Sequence, residues 1–110
     1  MLISAMDSRA TAVQGASFWC NSVAVSVRNF PLGAALVESA DDAISWIRRR
    51  LDEIAVQLDP PAVRIVRAWL SDQQRYTEAL ALLSQGSGFA MELRQDGVTY
   101  SVGADPFVPP

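Results

Sequence analysis

The hydrophobic pattern is clearest in the middle of the chain, where it predicts a helix over residues 40–58. The apolar positions recur at spacings of three and four residues, at Ile44, Ile47, Leu51, Ile54 and Leu58. This spacing places all five side chains on one face of an α-helix. Ser39 precedes the run as a suitable N-cap, and Asp41 and Asp42 follow in the first turn, where the helix dipole favours negative charge.

A second helical pattern covers residues 60–84, and it allows two interpretations. Pro60 fits the first helical position, where its missing N–H is not needed. Ser71 and Gln74 have the spacing of a capping box, which would divide the region into two helices. We favour one long helix, because the apolar stripe continues past these residues. Gly86 is the expected C′ residue that ends it.

Before the helices, alternation with a period of two predicts a single strand. The β-branched residues of this segment occupy every second position, at Val23, Val25 and Val27. Such alternation is typical of a strand with one buried face. We expect the strand to begin near Phe18 and to end at Pro31, since proline has no N–H to donate to a β-ladder. Residues 32–38 are then expected to form a loop with at most one helical turn.

The sharpest local signal is a β-hairpin near the C-terminus. Asp96 and Gly97 separate two alternating segments, and this dipeptide favours a type I′ turn because both central residues need positive φ. A two-residue loop pairs Gln95 with Val98, Leu93 with Tyr100, and Met91 with Val102. The larger side chains of these pairs share one face, so the hairpin register is well specified.

Together these elements predict an α+β domain with the order β-α-α-β-β. A hairpin alone is marginal in water, so we expect a small antiparallel three-stranded sheet. An antiparallel helical hairpin would pack on one face of it, since the loop between the helices is short. The predicted organisation is a flexible N-terminal arm over 1–17, one domain over 18–104, and a proline-rich tail over 105–110.

Composition narrows the classes of function. The chain has 110 residues, half of them apolar, and a net charge of −3. This charge argues against a nucleic-acid partner and against adsorption to anionic membranes, both of which need clustered cations. No stretch approaches the ~18 to 20 apolar residues of a membrane span, and the N-terminus lacks a signal-peptide pattern. We therefore expect a cytoplasmic protein.

The residue types argue against catalysis. The chain has no His and one cysteine, Cys20, so a thiol nucleophile would lack its usual base. We interpret Cys20 as a buried structural residue, and Asp41 and Asp42 as partners of the helix dipole. No cofactor-binding or metal-binding motif occurs. The sequence therefore predicts a protein that is not an enzyme and binds neither cofactor nor metal.

The remaining class is a protein-interaction domain. All nine basic residues are Arg, a bias typical of GC-rich bacterial genomes. We expect a bacterial protein of chaperone, immunity, antitoxin or adaptor type that binds another protein through apolar and acidic surface, with a basic partner favoured. The candidate contact or core residues are Trp46, Trp69, Phe89 and Tyr100.

Other interpretations stay open. The surplus of apolar residues is compatible with a homodimer. A structural subunit of a larger assembly, such as a phage or secretion particle, would use the exposed hairpin edge to add a strand to a neighbour. A small-ligand binder, or an enzyme that uses carboxylates, is less favoured.

Overall fold

Two β-hairpins flank a run of helices in residues 17–107, which are the residues that the computed structural model describes. The first hairpin comprises β1 (Ser17–Val25) and β2 (Asn29–Val37). The helices are α1 (Ala40–Ala55), α2 (Pro60–Ser71) and α3 (Gln73–Ser84). The second hairpin comprises β3 (Phe89–Gln95) and β4 (Val98–Phe107). Residues 1–16 of the predicted arm and 108–110 of the predicted tail lie outside the described residues, and residues 105–107 belong to β4.

The four strands form one sheet in the order β2-β1-β4-β3, with antiparallel neighbours throughout. The α+β class is therefore confirmed. The prediction of three strands is wrong, because residues 29–37 form a fourth strand. The two hairpins meet through β1 and β4, so these two strands lie at the centre of the sheet and β2 and β3 at its edges.

The fourth strand, β2, lies where a loop was expected. Pro31 does not end strand structure, because β2 is an edge strand and an edge tolerates a residue without an N–H. The register also adjusts there: Ser22 pairs with Gly33 and Val23 with Pro31, so Leu32 is an extra residue in a β-bulge. Bulges of this kind are common at sheet edges.

The buried face of β1 differs from the valine pattern in the sequence. Its fully or nearly buried residues are Phe18, Cys20, Ser22 and Ala24. Val23 and Val25 lie on the opposite face and are half-buried, and Val27 lies in the turn after the strand, where it is exposed. Packing against the helices therefore determines which face of β1 is buried. The positions of the β-branched residues alone did not predict that face.

Helix α1 begins as predicted and covers the middle of the sheet. The Asp42 N–H donates to the Ser39 hydroxyl oxygen at 3.0 Å, which confirms the N-cap. The apolar face of α1 packs on β1 and β4 and is buried, with Ile44, Ile47 and Leu51 fully enclosed. The helix ends at Ala55, three residues before the predicted end.

The prediction of one long helix over 60–84 is wrong, because the chain breaks at Asp72 into α2 and α3. Asp72 has extended backbone angles, and its carboxylate accepts hydrogen bonds from the N–H groups of Gln74 and Arg75. The Arg48 guanidinium also donates to the Leu70 carbonyl oxygen at 2.8 Å, near the end of α2. Side chains therefore supply hydrogen-bond partners to backbone groups on both sides of the break.

The other predicted local features are confirmed. Gly86 has a φ of 83° and ends α3 with the two hydrogen bonds of a Schellman motif. The β3–β4 hairpin has the predicted pairs, and the φ values of Asp96 and Gly97 are 54° and 79°. The Asp59 N–H donates to the Gln95 side-chain oxygen at 2.7 Å, which fixes the α1–α2 connection near this hairpin.

The helices form one layer and the sheet the other. Every strand residue that is buried lies on the same side of the sheet, in a core shared with all three helices. The helices pack on β1, β3 and β4, while β2 lies largely beyond them. No helix within residues 17–107 is both long enough and apolar enough to cross a membrane.

Candidate interaction surface

The side of the sheet that faces away from the helices is called the outer face below. Cross-strand partners point to the same face, so the register identifies its members. Trp19 of β1 lies between Leu36 of β2 and Asp105 of β4. Ser17 pairs with Phe107 on the same face. Phe107 is thus the diagonal neighbour of Trp19, a separation that aromatic side chains span.

Large apolar side chains are exposed at this end of the outer face. Trp19, Leu36 and Phe107 have exposed fractions of 45%, 54% and 40%. An open face of an antiparallel sheet normally carries polar residues. Exposed apolar side chains that lie together instead indicate a binding surface. We call Trp19, Leu36, Phe107 and the adjacent Asp105 the outer-face corner.

Asp105 supplies the acidic group of this corner. Its carboxylate extends over Gly88, where a β-carbon would collide with it. The ion pairs found within residues 17–107 join Arg50 to Glu53, Arg67 to Asp52, and Arg75 to Asp72. All three lie on the helical side and none involves Asp105. The corner therefore combines apolar surface with a carboxylate that these ion pairs do not engage.

The two edges of the sheet differ in charge. β2 has the sequence NFPLGAALV and contains no charged residue over its nine positions. β3 carries Glu92 and Arg94, both exposed on the outer face. Charged side chains protect edge strands against pairing with another chain, and β2 lacks this protection. Its outer edge is therefore the less protected of the two.

The four aromatic residues predicted as contact or core candidates lie on the helical side. Trp46 and Trp69 are buried, and Phe89 and Tyr100 are partly buried against the core. The structure brings Trp69 and Phe89 together, with ring centroids 5.9 Å apart. Trp46 is separate from them and has the Arg50 guanidinium 5.0 Å from its ring centroid. Tyr100 faces Leu93 across the hairpin.

Sequence reasoning missed Trp19, Leu36 and Phe107. One signal for Trp19 was available: Phe18 and Trp19 are consecutive in a strand, so their side chains must point to opposite faces. If one is in the core, the other is exposed unless a second layer covers it. No comparable signal existed for Leu36, because its segment was predicted to be a loop.

Cys20 is a buried core residue, as predicted. It lies on the helix-facing side of β1, and burial raises the pKa of its thiol to about 11. The thiol is therefore protonated at neutral pH, and the protonated form is a poor nucleophile. The residues predicted to serve the helix dipole, Asp41 and Asp42, lie in the first turn of α1.

Clefts occur on the helical side, and in one of them both charged residues, Arg48 and Asp72, already bind backbone groups. One of about 420 Å³ lies between α1 and the α2–α3 break. Its basic residue, Arg48, donates to the Leu70 carbonyl oxygen and stacks on Tyr76 at 5.1 Å. A cleft of about 260 Å³ is lined by Ile65, Trp69 and Met91, among others. Within residues 17–107, no three His, Cys, Asp or Glu side chains cluster as metal ligands.

Comparison of the chain with protein-family models, with curated proteins and with solved structures gives no match. Function is therefore inferred from the geometry of this chain alone.

Proposed function

We propose that this chain is a non-enzymatic, cytoplasmic protein-interaction domain of a bacterial cell, of chaperone, immunity, antitoxin or adaptor type. Its binding site is the outer-face corner. The observation that carries the proposal is the exposure of Trp19, Leu36 and Phe107 on the side of the sheet that the described helices leave open. Aromatic residues of this kind are enriched among the residues that dominate binding energy.

The corner also indicates the chemistry of the partner. Asp105 lies beside Trp19 in the sheet, on the opposite side from Leu36. A partner segment that combines apolar side chains with one Lys or Arg would satisfy both the apolar surface and the carboxylate. An Arg is favoured, because its guanidinium can pair with Asp105 and stack on the indole of Trp19. The occupant we propose is such a segment of another protein.

Apolar contact is the main contribution in this proposal. Acidic residues of the helices, including Asp52, Glu53 and Asp72, lie in ion pairs with neighbouring arginines. Their field toward a basic partner is correspondingly reduced. Added salt should raise the Kd of the complex only by the amount that screening of one ion pair causes. The complex should therefore persist at high salt.

The test compares two surface changes that each replace an exposed apolar side chain by serine. Proteins retained by the immobilised chain from a lysate of its native cell are identified, purified and titrated against variants. Trp19→Ser removes an exposed apolar residue from the outer-face corner, and Ile65→Ser removes one from the helical side, where Ile65 is 58% exposed. Trp19→Ser is expected to raise the Kd of the purified partner by about tenfold or more, as for a central aromatic contact.

Ile65→Ser should leave the Kd unchanged, and Asp105→Asn should weaken binding only when the partner's basic residue is intact. If Ile65→Ser abolishes binding while Trp19→Ser retains it, the binding site lies on the helices and the proposal is wrong.

A second candidate is a structural subunit that adds strands to its neighbours. The uncharged edge of β2 favours it, whereas Glu92 and Arg94 make the hairpin edge of β3 the less suitable site. Light scattering distinguishes the two candidates, because an assembly subunit forms a discrete ring or filament and a simple binding domain does not. A carboxylate-based enzyme or ligand binder is less supported, since Asp72, the carboxylate that lines the cleft of about 420 Å³, already accepts two backbone hydrogen bonds.

A further inference from the structure

We propose that two copies of this chain pair through β2, antiparallel and around a twofold axis at Ala35. The two sheets then join into one sheet of eight strands. The occupant of the β2 edge is therefore a second copy of the chain. The outer face stays open in this arrangement, although Leu36 of the corner borders the second copy, so the inference does not depend on the proposed partner.

The composition of the edge favours self-pairing. Two copies of β2 can approach without opposing charges, because Asn29–Val37 contains none. The side chains beyond the bulge are also small, with Gly33 followed by Ala34 and Ala35. Within residues 17–107, β2 pairs with β1 on one side only, which leaves backbone N–H and C=O groups on the other side free to form a ladder.

The other edge does not support the same arrangement. β3 runs from Phe89 to Gln95, and its central residue is Glu92. A twofold antiparallel pair centred there would place Glu92 directly opposite its own copy. Like charges directly opposite each other destabilise a strand pair. Self-pairing is therefore selective for β2.

Two features of β2 determine the register. Pro31 has no N–H to donate, and Leu32 is the extra residue of the bulge. Regular pairing is thus confined to residues 33–37. A twofold axis at Ala35 is the arrangement that pairs all five of these residues.

This register also keeps each face of the sheet intact. Ala35 lies opposite its own copy, and Ala34 lies opposite Leu36 of the second copy. Ala34 and Leu36 both belong to the outer face, because their β1 partners Asn21 and Trp19 do. The helices of both copies therefore lie on one side of the joined sheet. On the other side, the two outer-face corners approach each other through Leu36.

The test uses two alanines in one row of the sheet, at opposite edges. Ala34 pairs with Asn21, Asn21 with Gly103, and Gly103 with Ala90. Ala34 and Ala90 are both exposed on the outer face. Ala34→Lys and Ala90→Lys therefore introduce the same charge at exposed positions of one row and one face, but at opposite edges of the sheet. Ala90 also has Glu92 two positions along its strand, whereas β2 carries no charge.

Sedimentation equilibrium of the full chain measures the result over a concentration series. The wild type is expected as a dimer of about 24 kDa, twice the 11.9 kDa of one chain. Ala34→Lys is expected to raise the dimer dissociation constant by about tenfold or more, and Ala90→Lys to leave it unchanged. Circular dichroism establishes that both variants are folded.

A second measurement tests the register. Ala34→Glu and Leu36→Lys are each expected to dimerise poorly alone and to form a heterodimer when mixed, because the two substituted positions face each other. A wild type that is monomeric at all concentrations overturns the proposal, as does a dimer that Ala34→Lys leaves intact or that Ala90→Lys dissociates. A monomer whose β2 amides become protected only with another protein shows that the edge takes a foreign strand instead.

Discussion

The guanidinium of Arg50 lies directly over Gly33, with its Nη2 atom 2.9 Å from the place that a β-carbon on Gly33 would occupy. Arg50 also stacks over the Trp46 ring at 5.0 Å and pairs with Glu53 at 3.1 Å. Its side chain therefore joins α1 to the edge strand β2, which the helical backbones do not cover. The absence of a side chain at Gly33 is what allows this contact.

Gly33→Val is expected to displace the Arg50 guanidinium, and because this is the far end of a flexible side chain the free energy of unfolding should fall by at most about 1 kcal/mol. In an Arg50→Ala background, Gly33→Val should lower the free energy of unfolding by clearly less, because no guanidinium then lies over position 33. Urea unfolding of the two single variants and the double variant measures this coupling. Strictly additive effects would show that the contact between Arg50 and β2 has no energetic role.

The break between α2 and α3 depends on Asp72. Asp72→Ala removes an N-cap that accepts two backbone hydrogen bonds, so the free energy of unfolding should fall by about 1–2 kcal/mol. Asp59 is the matched control, because it is the N-cap residue of α2 but makes no side-chain capping bond. Asp59→Ala should cost much less in the same urea titration. Equal losses would contradict the assigned capping role.

Replacement of Ser22 by alanine is expected to stabilise the fold. It is fully buried on β1, and its hydroxyl has no hydrogen-bond partner among the described residues. Ser22→Ala removes a buried polar group and should raise the free energy of unfolding by about 1 kcal/mol. Ser39→Ala, which removes the α1 cap, should lower it by about the same amount. Thermal unfolding of both variants provides the comparison, and a destabilised Ser22→Ala would show that the hydroxyl is paired.

The buried thiol of Cys20 predicts a loss of stability at high pH. Its pKa is raised from 9.0 to about 11 in the folded protein, so the unfolded chain releases this proton first. The protonated thiol therefore makes its full contribution to the free energy of unfolding below pH 9, and this contribution is lost as pH rises toward 11. Between pH 8 and pH 11 the wild type should lose about 2 kcal/mol more than Cys20→Ala. Parallel pH profiles of the two proteins would contradict this assignment.

Local chemistry made part of the fold predictable. The hairpin register followed from Asp96 and Gly97, because a type I′ turn and the alternating pattern agree at every position. The start of α1 at Ser39 followed from capping chemistry in the same way. In each case the residues that decide the structure are neighbours in the sequence.

Long-range contacts decided what sequence reasoning missed. The strand β2 contains Gly33, Pro31 and two alanines, so its intrinsic preference for a strand is low and its pairing with β1 determines it. The α2–α3 break is supported by Arg48, which lies 22 residues before the carbonyl of Leu70 that it binds. No pattern among residues that are neighbours in the sequence predicts either contact.

The candidate site was hidden for the same reason. Aromatic residues in the sequence do not reveal which face of a sheet they occupy until the strand order is known. Trp46 and Trp69 lie on helices and are in the core, while Trp19 lies on a strand and is on the outer face. The exposed Leu36 joins Trp19 only because residues 29–37 pair with β1.

Hydroxyl-radical footprinting of the chain, free and bound to its purified partner, distinguishes the outer-face corner from the helices as the binding site. The method reports side-chain accessibility, and exposed apolar residues occur on both sides of the molecule. We expect the partner to protect Trp19, Leu36 and Phe107 from oxidation and to leave Ile65 and Leu82 as reactive as before. Protection of Ile65 and Leu82, with Trp19 and Phe107 unchanged, would contradict it.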